Sequence, residues 1–488
     1  MNDLAEKALH GTQAVGRQLA RRPVPLFALG GLLAAAVIVV AGGRLGAARD
    51  ALPMTRWLDL LAPAGYHVGD NIPAIVVVLG IGALIALWVG LLHFTRRRLL
   101  SERQTWTITA AWMAPFAIGP PLLSTDVYSS VAHGLLARHG LNPYQHAPSA
   151  LGHLKVVNAI DPAWRGTAST GGPLSTFAEH FATAVAGGNA LTAVVLLRGL
   201  AVVCVIAIGA LAAELSGPRR VDAVALTTAN PAVLLYLVSG AHLDALMLAL
   251  LLGALLAGSQ RRWTIAIVLA CLAAGVKPIA LVALPALFAV HAIGQRGHVA
   301  WRVLIRDVIT ATITLVASVF VVSDGMGWIG NIGETTHEHT FWAPANLLSD
   351  MIAPVVSSAS YDDLAVGGRV AALLAAVTAV VYLLITVLTR PIERTTGYLL
   401  LSVGLLSPVL YPWYLLWGVV CLAPGVTRLR RDWVVALSAA AALLTPPGFA
   451  VRTGQFVTTA ALAIIAGGLI FRAAMRRRAR AVALSAAA

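Results

Sequence analysis

Long apolar runs separated by short polar or charged breaks occupy most of the chain. A run of about 20 apolar residues is long enough to cross a bilayer as a helix. Several of the runs are shorter, among them 263–276, 278–292 and 410–423, so 12 or 13 crossings with one broken or re-entrant pair also fit. The pattern predicts an all-α, polytopic integral membrane protein of about 12–14 transmembrane helices. The runs lie near residues 23–43, 72–94, 105–123, 191–213, 221–239, 243–258, 263–276, 278–292, 304–322, 368–389, 396–408, 410–423, 432–446 and 455–473.

The first apolar run has two possible interpretations. Arg21 and Arg22 precede it and small residues follow it, as in a signal peptide. Its apolar stretch, residues 24–43, is 20 residues long, which favours a retained membrane anchor.

Composition agrees with a membrane protein. Of 488 residues, 58% are hydrophobic and 11% are charged, and the mean hydropathy is +0.81. A soluble domain cannot bury that much apolar surface, whereas lipid can receive it. The three cysteines all lie inside apolar runs, so neither a disulfide framework nor a thiolate metal site is expected.

The net charge of +14 predicts an orientation. In a soluble chain such an excess would suggest nucleic-acid binding, but none is expected here. If the N-terminus is cytoplasmic and every run crosses, 25 of the 35 basic residues fall on the cytoplasmic side, as the positive-inside rule requires. We therefore expect a cytoplasmic N-terminal segment (1–22), a transmembrane domain (23–475) and a basic cytoplasmic tail (476–488). Two long extracytoplasmic loops are expected at about 124–190 and 323–367.

The first candidate site residue follows the third run. Val127, Val131 and Leu135 recur every four residues, which predicts a short amphipathic helix along the outer interface. Asp126 would lie in its first turn and Gly140 would end it. Asp126 can cap the helix or take part in chemistry, and these two roles are compatible.

Two further ionisable groups follow the fifth run. His242 and Asp244 lie beside the membrane core, where an unpaired ionisable group costs several kcal/mol, so they need polar partners. A capping turn with a satisfied histidine would explain them as well. Lys277, alone among apolar neighbours, indicates an anion-binding position such as a lipid phosphate, or else it snorkels to the interface.

An aromatic segment, residues 407–417, joins two later runs on the predicted outer side. Its two prolines break helix geometry, and Trp413 and Tyr414 offer flat apolar faces with polar edges. They could stack on a sugar or pack against a prenyl chain, although an interfacial aromatic belt has the same composition. All of these candidates fall on one predicted face of the membrane.

These motifs resemble the GT-C glycosyltransferases, and within them the actinobacterial polyprenol-phosphate-mannose-dependent alpha-1,6-mannosyltransferases. The resemblance runs over most of residues 105–425. It rests on Asp126-Val127-Tyr128-Ser129 with Gly140-Leu141-Asn142-Pro143-Tyr144, and on Asn230-Pro231, His242-x-Asp244, Lys277 and Pro412-Trp413-Tyr414-Leu415-Leu416-Trp417.

The resemblance implies a mannosyltransferase of the plasma membrane that works on the extracytoplasmic face. Its donor would be polyprenyl-phosphate-mannose and its acceptor a mannan or lipoglycan such as lipomannan, with inversion and an alpha-1,6 product. No cofactor is certain, and no sequence feature supports a divalent cation. The implied roles are catalytic base for Asp126, positioning for Tyr128, His242 and Asp244, phosphate binding for Lys277 with Arg138 or Arg165, and stacking for Trp413 and Tyr414.

The sequence departs from this family pattern at two places. Gly171-Gly172-Pro173-Leu174 stands where Tyr-Gly-Pro-Leu is usual, and His242-Leu243-Asp244 stands where His-Asn-acid is common. The missing tyrosine and asparagine point to an altered acceptor.

A transporter or flippase of lipid-linked or polar substrates is the alternative function. Transporters usually place charged residues and broken helices near the midplane and show related halves. Here the candidate groups lie at outer ends of spans, and two long outer loops interrupt the pattern, which favours an enzyme. A purely structural protein fits poorly with Asp126, His242, Asp244 and Lys277 on one side.

Overall fold

The computed structural model describes residues 23–43, 71–294, 298–322, 324–331, 333, 343–346, 349, 361–425 and 428–444. Throughout these residues the regular elements are helices, which confirms the all-α prediction. The predicted N-terminal segment (1–22), the run at 455–473 and the basic tail (476–488) lie outside the described residues, as does most of 332–360.

The described helices are α1 (Pro23–Gly42), α2 (Asn71–Arg96), α3 (Glu102–Ile118), α4 (Asp126–Arg138), α5 (Lys155–Ala159), α6 (Pro173–Val185), α7 (Ala190–Ser216), α8 (Arg220–Thr227), α9 (Asp244–Ser259), α10 (Trp263–Val276), α11 (Leu284–Ala292), α12 (Trp301–Val319), α13 (Trp328–Asn331), α14 (Tyr361–Ile385), α15 (Ile392–Leu405), α16 (Tyr414–Leu422) and α17 (Arg428–Leu443). Short 3-10 helices and one π-helical segment, Val233–Ser239, connect some of them.

Several of these helices have the length and apolar composition of membrane spans. Four stretches qualify within the described part of the chain: Pro23–Gly42, Ile72–Arg96, Ala190–Thr227 and Asp363–Ile385. A fifth qualifies if the π-helical segment and α9, which meet at 110°, form one broken span. These helices make the protein a multi-pass membrane protein. Other predicted runs form shorter apolar helices.

The broken span is shaped by buried polar groups. Asn230 precedes Pro231, and its side-chain amide donates to Ser438 Oγ at 2.8 Å while its oxygen accepts from the Ala232 N–H. Arg198, buried in α7, donates to the carbonyls of Gly119 and Ser239, where two apolar segments end. These bonds satisfy backbone groups that lipid could not, and they fix the turn that carries His242.

The stretch predicted as the first outer loop is largely helical. It contains α4, α5 and α6, and α4 crosses α6 at Gly134. A Cβ on Gly134 would lie 2.3 Å from the Glu179 carbonyl oxygen, so only glycine permits this close approach. The crossing sets the distance between the polar faces of the two helices.

The beginning of the second predicted loop rests on the first. The Asn331 side-chain amide donates to the backbone carbonyls of Tyr144 and Ser169, at 3.0 and 2.9 Å. Asn142 donates to the Asp324 carboxylate at 3.1 Å. The described parts of the two loops therefore lie at the same end of the helical bundle.

Candidate active site

A cavity of about 440 Å³ opens at this end of the bundle, a volume within the range of small-ligand sites. It lies between α4, α6, the turn before α9, the residue after α10 and the start of α16. Its polar and aromatic lining comprises Asp126, Ser129, Ser130, His133, Trp164, Thr167, Ser169, Thr170, Ser175, Glu179, His242, Asp244, Lys277, Tyr411, Trp413, Tyr414 and Trp417.

Asp126 begins α4 at the mouth of the cavity. The residue that precedes the helix, Thr125, makes no side-chain capping bond, and the Asp126 side chain is 47% exposed. Val127, Val131 and Leu135 are buried, and Gly140 ends the helix region with a φ of +75°, as the amphipathic pattern predicts. Burial of this apolar face leaves the Asp126 carboxylate facing the cavity.

Asp244 is the centre of a polar network beneath Asp126. Its side chain is 1% exposed, and its carboxylate accepts hydrogen bonds from Lys277 Nζ at 2.9 Å and from Trp417 Nε1. His242 Nδ1 lies 3.4 Å from Asp126 and 3.7 Å from Asp244, so it bridges an exposed and a buried carboxylate. The lysine offsets the buried negative charge that would otherwise be costly.

Aromatic rings form one wall of the cavity. Trp413 lies 4.3 Å from the His242 ring and stacks on Tyr411 at 4.6 Å, with an angle of 4° between the planes. Tyr414 stacks on Trp417 at 4.0 Å. Lys277 Nζ lies 5.6 Å from the centre of the Trp417 ring, within cation–π distance. Trp413 and Tyr414 therefore lie on the same cavity as Asp126, as the sequence motif predicts.

Three predicted site residues do not line the cavity. Tyr128 is buried beside Arg198, and burial raises its pKa to about 12. Arg138 is exposed at the far end of α4, next to Gly188. Arg165 donates to the carbonyls of Ile160 and Asn158 at 2.9 and 2.8 Å, so its guanidinium holds the loop. Of the three cations expected at a phosphate, only Lys277 lines the cavity.

The sequence motifs do not assign several residues that line the cavity. Ser130 and His133 lie four and seven residues after Asp126, so helical periodicity could have placed them on the same face. Trp417 belongs to the aromatic motif, but its bond to Asp244 spans 173 residues. Glu179 is one of several acids in the first predicted loop, and no local pattern places it opposite α4.

Glu179 and His133 are uncharged polar groups in this cavity. Burial raises the pKa of Glu179 to about 8, although hydrogen bonds from Ser130 and Ser175 lower it in part. Burial lowers the pKa of His133 to about 4. At neutral pH the cavity therefore has a charged region around Asp126, Asp244 and Lys277 and an uncharged polar region around Glu179.

The acidic and histidine side chains of the cavity are not arranged as metal ligands. Within the described ranges, no group of three or more His, Cys, Asp or Glu side chains is placed to hold a metal ion. The arrangement of charges is that of a carboxylate and an ammonium group facing one cavity.

Comparison with protein families gives two matches that follow one another along the chain. Residues 28–293 match the family model described as alpha-(1->6)-mannopyranosyltransferase, N-terminal domain. Residues 348–476 match the model described as MptB C-terminal domain. The first match includes Asp126, His242, Asp244 and Lys277.

Curated relatives carry the same description. The alpha-(1->6)-mannopyranosyltransferase A of Mycobacterium tuberculosis is 30% identical over 312 residues, which are 61% of this chain and 59% of that protein. A second mycobacterial alpha-(1->6)-mannopyranosyltransferase, from the same species, is 28% identical over 65% of this chain and 64% of its own length. The alpha-(1->6)-mannopyranosyltransferase B of Corynebacterium glutamicum is 26% identical over 86% of this chain and 76% of its own length.

The match spans less than two thirds of the length of the first two relatives. No solved structure matches the chain. Because the N-terminal family model covers more than half of the chain, the resemblance read from the motifs is confirmed, and the chain belongs to the alpha-(1->6)-mannopyranosyltransferase family.

Proposed function

We propose that the protein transfers a mannosyl residue from polyprenyl-phosphate-mannose to a mannan or lipoglycan acceptor, forming alpha-1,6 linkages with inversion. Family membership supports mannosyl transfer. The observation that carries the mechanism is the placement of the half-exposed Asp126 carboxylate and the Lys277 ammonium on one cavity of about 440 Å³.

The proposed step needs a base more than an acid. Asp126 takes the proton from the attacking acceptor hydroxyl as its oxygen bonds to the anomeric carbon of the donor. The bond between that carbon and the phosphate oxygen breaks, and its electron pair leaves with the polyprenyl phosphate. Attack from the face opposite the phosphate inverts the anomeric centre through an oxocarbenium-like state.

Lys277 is the proposed cation for the departing phosphate. It is 28% exposed and lines the cavity while contacting both oxygens of Asp244, so its direction is fixed. A preorganised cation stabilises the negative charge that develops on the leaving group without having to reorganise. Phosphate is a good leaving group, which explains why a second acid is not needed.

His242 is the proposed positioning residue for the base. Its Nδ1 lies between Asp126 and Asp244, and its ring packs against Trp413 at 4.3 Å. The buried Asp244 carboxylate, held by Lys277 and Trp417, is therefore a fixed support for the imidazole and, through it, for Asp126. Trp413 and Tyr414 line the cavity where a sugar ring or a prenyl chain can pack.

A lipid-linked donor and an extracytoplasmic acceptor complete the proposal. The cavity lies at one end of a bundle that contains membrane-spanning helices, so a substrate with a long apolar tail can reach it from the bilayer. The distribution of basic residues supports an extracytoplasmic position in the plasma membrane with cytoplasmic termini.

The test uses the full-length protein in vesicles with radiolabelled polyprenyl-phosphate-mannose and an oligomannoside acceptor. We expect a longer oligosaccharide whose new linkage is alpha-1,6 by NMR. A parallel reaction with a nucleotide-linked mannose should give no product. Movement of intact lipid across the vesicle without sugar transfer would instead identify a flippase and overturn the proposal.

A further inference from the structure

The cavity continues beyond Asp126 into a second polar region. Ser130 and His133 lie on the same face of α4 as Asp126, about 6 and 10 Å along the helix axis from it. Ser175 and Glu179, one turn apart on α6, line the cavity as well. Two crossing helices thus bring four polar side chains together that the proposed transfer step does not use.

Two atoms of this region are buried and have no hydrogen-bond partner in the described part of the chain. Glu179 is 4% exposed, and Ser130 and Ser175 both bond its carboxyl group, with Ser175 Oγ 3.5 Å from Oε1. Its Oε2 has no hydrogen-bond partner among the described residues. His133 bonds to the backbone of Thr167, but its buried Nε2 likewise has no partner among the described residues. A buried polar group without a hydrogen bond is costly, so such atoms on a cavity wall mark positions that a ligand completes.

The chemistry of these atoms selects the ligand. The neutral carboxyl of Glu179 can donate a hydrogen bond, and the neutral imidazole of His133 can accept one. Each hydroxyl of a sugar both donates and accepts, so it matches this uncharged pair. A phosphate needs cations and matches Lys277 instead.

We propose that Ser130, His133, Ser175 and Glu179, here called the hydroxyl subsite, bind hydroxyl groups of an uncharged hexose residue. Glu179 is the specificity-determining member, because its buried oxygen, which no described residue bonds, lies on the α6 wall. The subsite rests on the proposed transfer, since it orients one of the two reacting sugars beside Asp126. That sugar is the acceptor residue or the mannosyl group of the donor.

The test compares Glu179→Leu with Glu179→Gln. Leucine removes both hydrogen-bonding atoms at similar volume, whereas glutamine keeps one donor and one acceptor. KM and kcat are measured separately for the acceptor and for the lipid donor. We expect Glu179→Leu to raise one KM by roughly tenfold, the effect of losing a hydrogen bond to a sugar, and Glu179→Gln to raise the same KM by much less. A rise in the acceptor KM assigns the subsite to the acceptor, and a rise in the donor KM assigns it to the donor sugar.

Controls separate this role from packing. Glu214→Gln alters an exposed glutamate that pairs with Arg220 at the end of α7. The cavity lining includes no residue of α7, so both KM values should stay unchanged. Ser175→Ala removes one hydroxyl from the subsite and should raise the same KM as Glu179→Leu. The subsite would be overturned if the leucine and glutamine variants had equal KM values, or if folded variants showed no change in either KM.

A direct measurement of sugar binding tests the subsite without relying on turnover. Calorimetry with an unlabelled oligomannoside and with a mannosyl-phosphate lipid gives affinities for wild type and Glu179→Leu. If wild type binds these sugars and Glu179→Leu binds one of them roughly tenfold more weakly, the subsite holds even if no transfer is detected and the proposed function fails. Wild-type transfer combined with unchanged binding by Glu179→Leu refutes only the subsite.

Discussion

The ammonium nitrogen of Lys277 lies 2.9 and 2.8 Å from the two carboxylate oxygens of Asp244. The aspartate begins α9 and is almost fully buried, whereas the lysine follows α10 and reaches the cavity. One lysine therefore offsets a buried charge and presents a cation to the substrate. The two roles can be separated by mutation.

Replacing Lys277 alone should destabilise the protein. Lys277→Met leaves the buried Asp244 carboxylate without its cation, and breaking a buried pair in this way costs about 3–5 kcal/mol. We expect a lower thermal unfolding temperature in detergent and loss of sugar transfer. The control is Arg262→Met, which removes an exposed cation at the opposite end of α10 and should leave both measurements close to wild type.

Replacing both partners should restore folding but not activity. Lys277→Met combined with Asp244→Asn removes both charges, so the unfolding temperature should return toward that of wild type. The phosphate contact is still missing, and the donor KM should therefore exceed that of wild type. A double variant with the wild-type donor KM would exclude Lys277 from phosphate binding.

Asp126→Asn tests the base. The variant should insert and fold normally, since the carboxylate is half exposed and Thr125, not Asp126, occupies the N-cap position of α4. Transfer should fall by roughly 10² to 10⁴, the contribution of a positioned base. The rate is measured with saturating donor and acceptor, and Asp363→Asn, an exposed change on α14, is the matched control. Near wild-type transfer by Asp126→Asn would assign the base to another residue.

Much of the helical framework was predictable because apolar run length and periodicity are local properties. The helix after Asp126 is an example, since Val127, Val131 and Leu135 define its buried face and Gly140 its end. Successive helical residues point about 100° apart, so Tyr128 turns into the core although it is two positions from the base.

The rest of the site depends on long-range contacts. Sequence shows that Arg165 is a cation, but not that two backbone carbonyls occupy its guanidinium. Glu179 reaches the cavity only because α6 crosses α4 at Gly134. The Trp417 bond to Asp244 likewise joins residues from distant parts of the chain.

Trp417→Phe tests the support of Asp244. Phenylalanine keeps a ring that can stack on Tyr414 but removes the indole N–H that donates to the carboxylate. Loss of one hydrogen bond to a charged group costs about 1.5–3 kcal/mol, so the unfolding temperature should fall. Transfer should fall as well, because the support beneath His242 is loosened. Trp433→Phe, an exposed tryptophan on α17, is the control, and an equal effect of the two changes would contradict the assignment.

Glu179 should make stability depend on pH. Its pKa is raised from 4.5 to about 8 in the folded protein because burial disfavours the charged form. The folded state therefore holds this proton more tightly than the unfolded state, and the stabilisation is fully present below pH 4.5 and is lost as pH rises to about 8. The unfolding temperature of the wild type should fall between pH 5 and 8 by more than that of Glu179→Gln, which has no proton to lose.

The neighbours of Glu179 make this comparison specific. Burial lowers the pKa of His133 to about 4 and raises that of Tyr144 to about 12, so neither changes charge across the window in the folded protein. Other groups titrate equally in both proteins and cancel in the difference. If the two unfolding temperatures run parallel from pH 5 to 8, Glu179 is ionised in the folded protein at neutral pH. The hydroxyl subsite would then lack its donor, which links the pH measurement directly to the sugar-binding experiment.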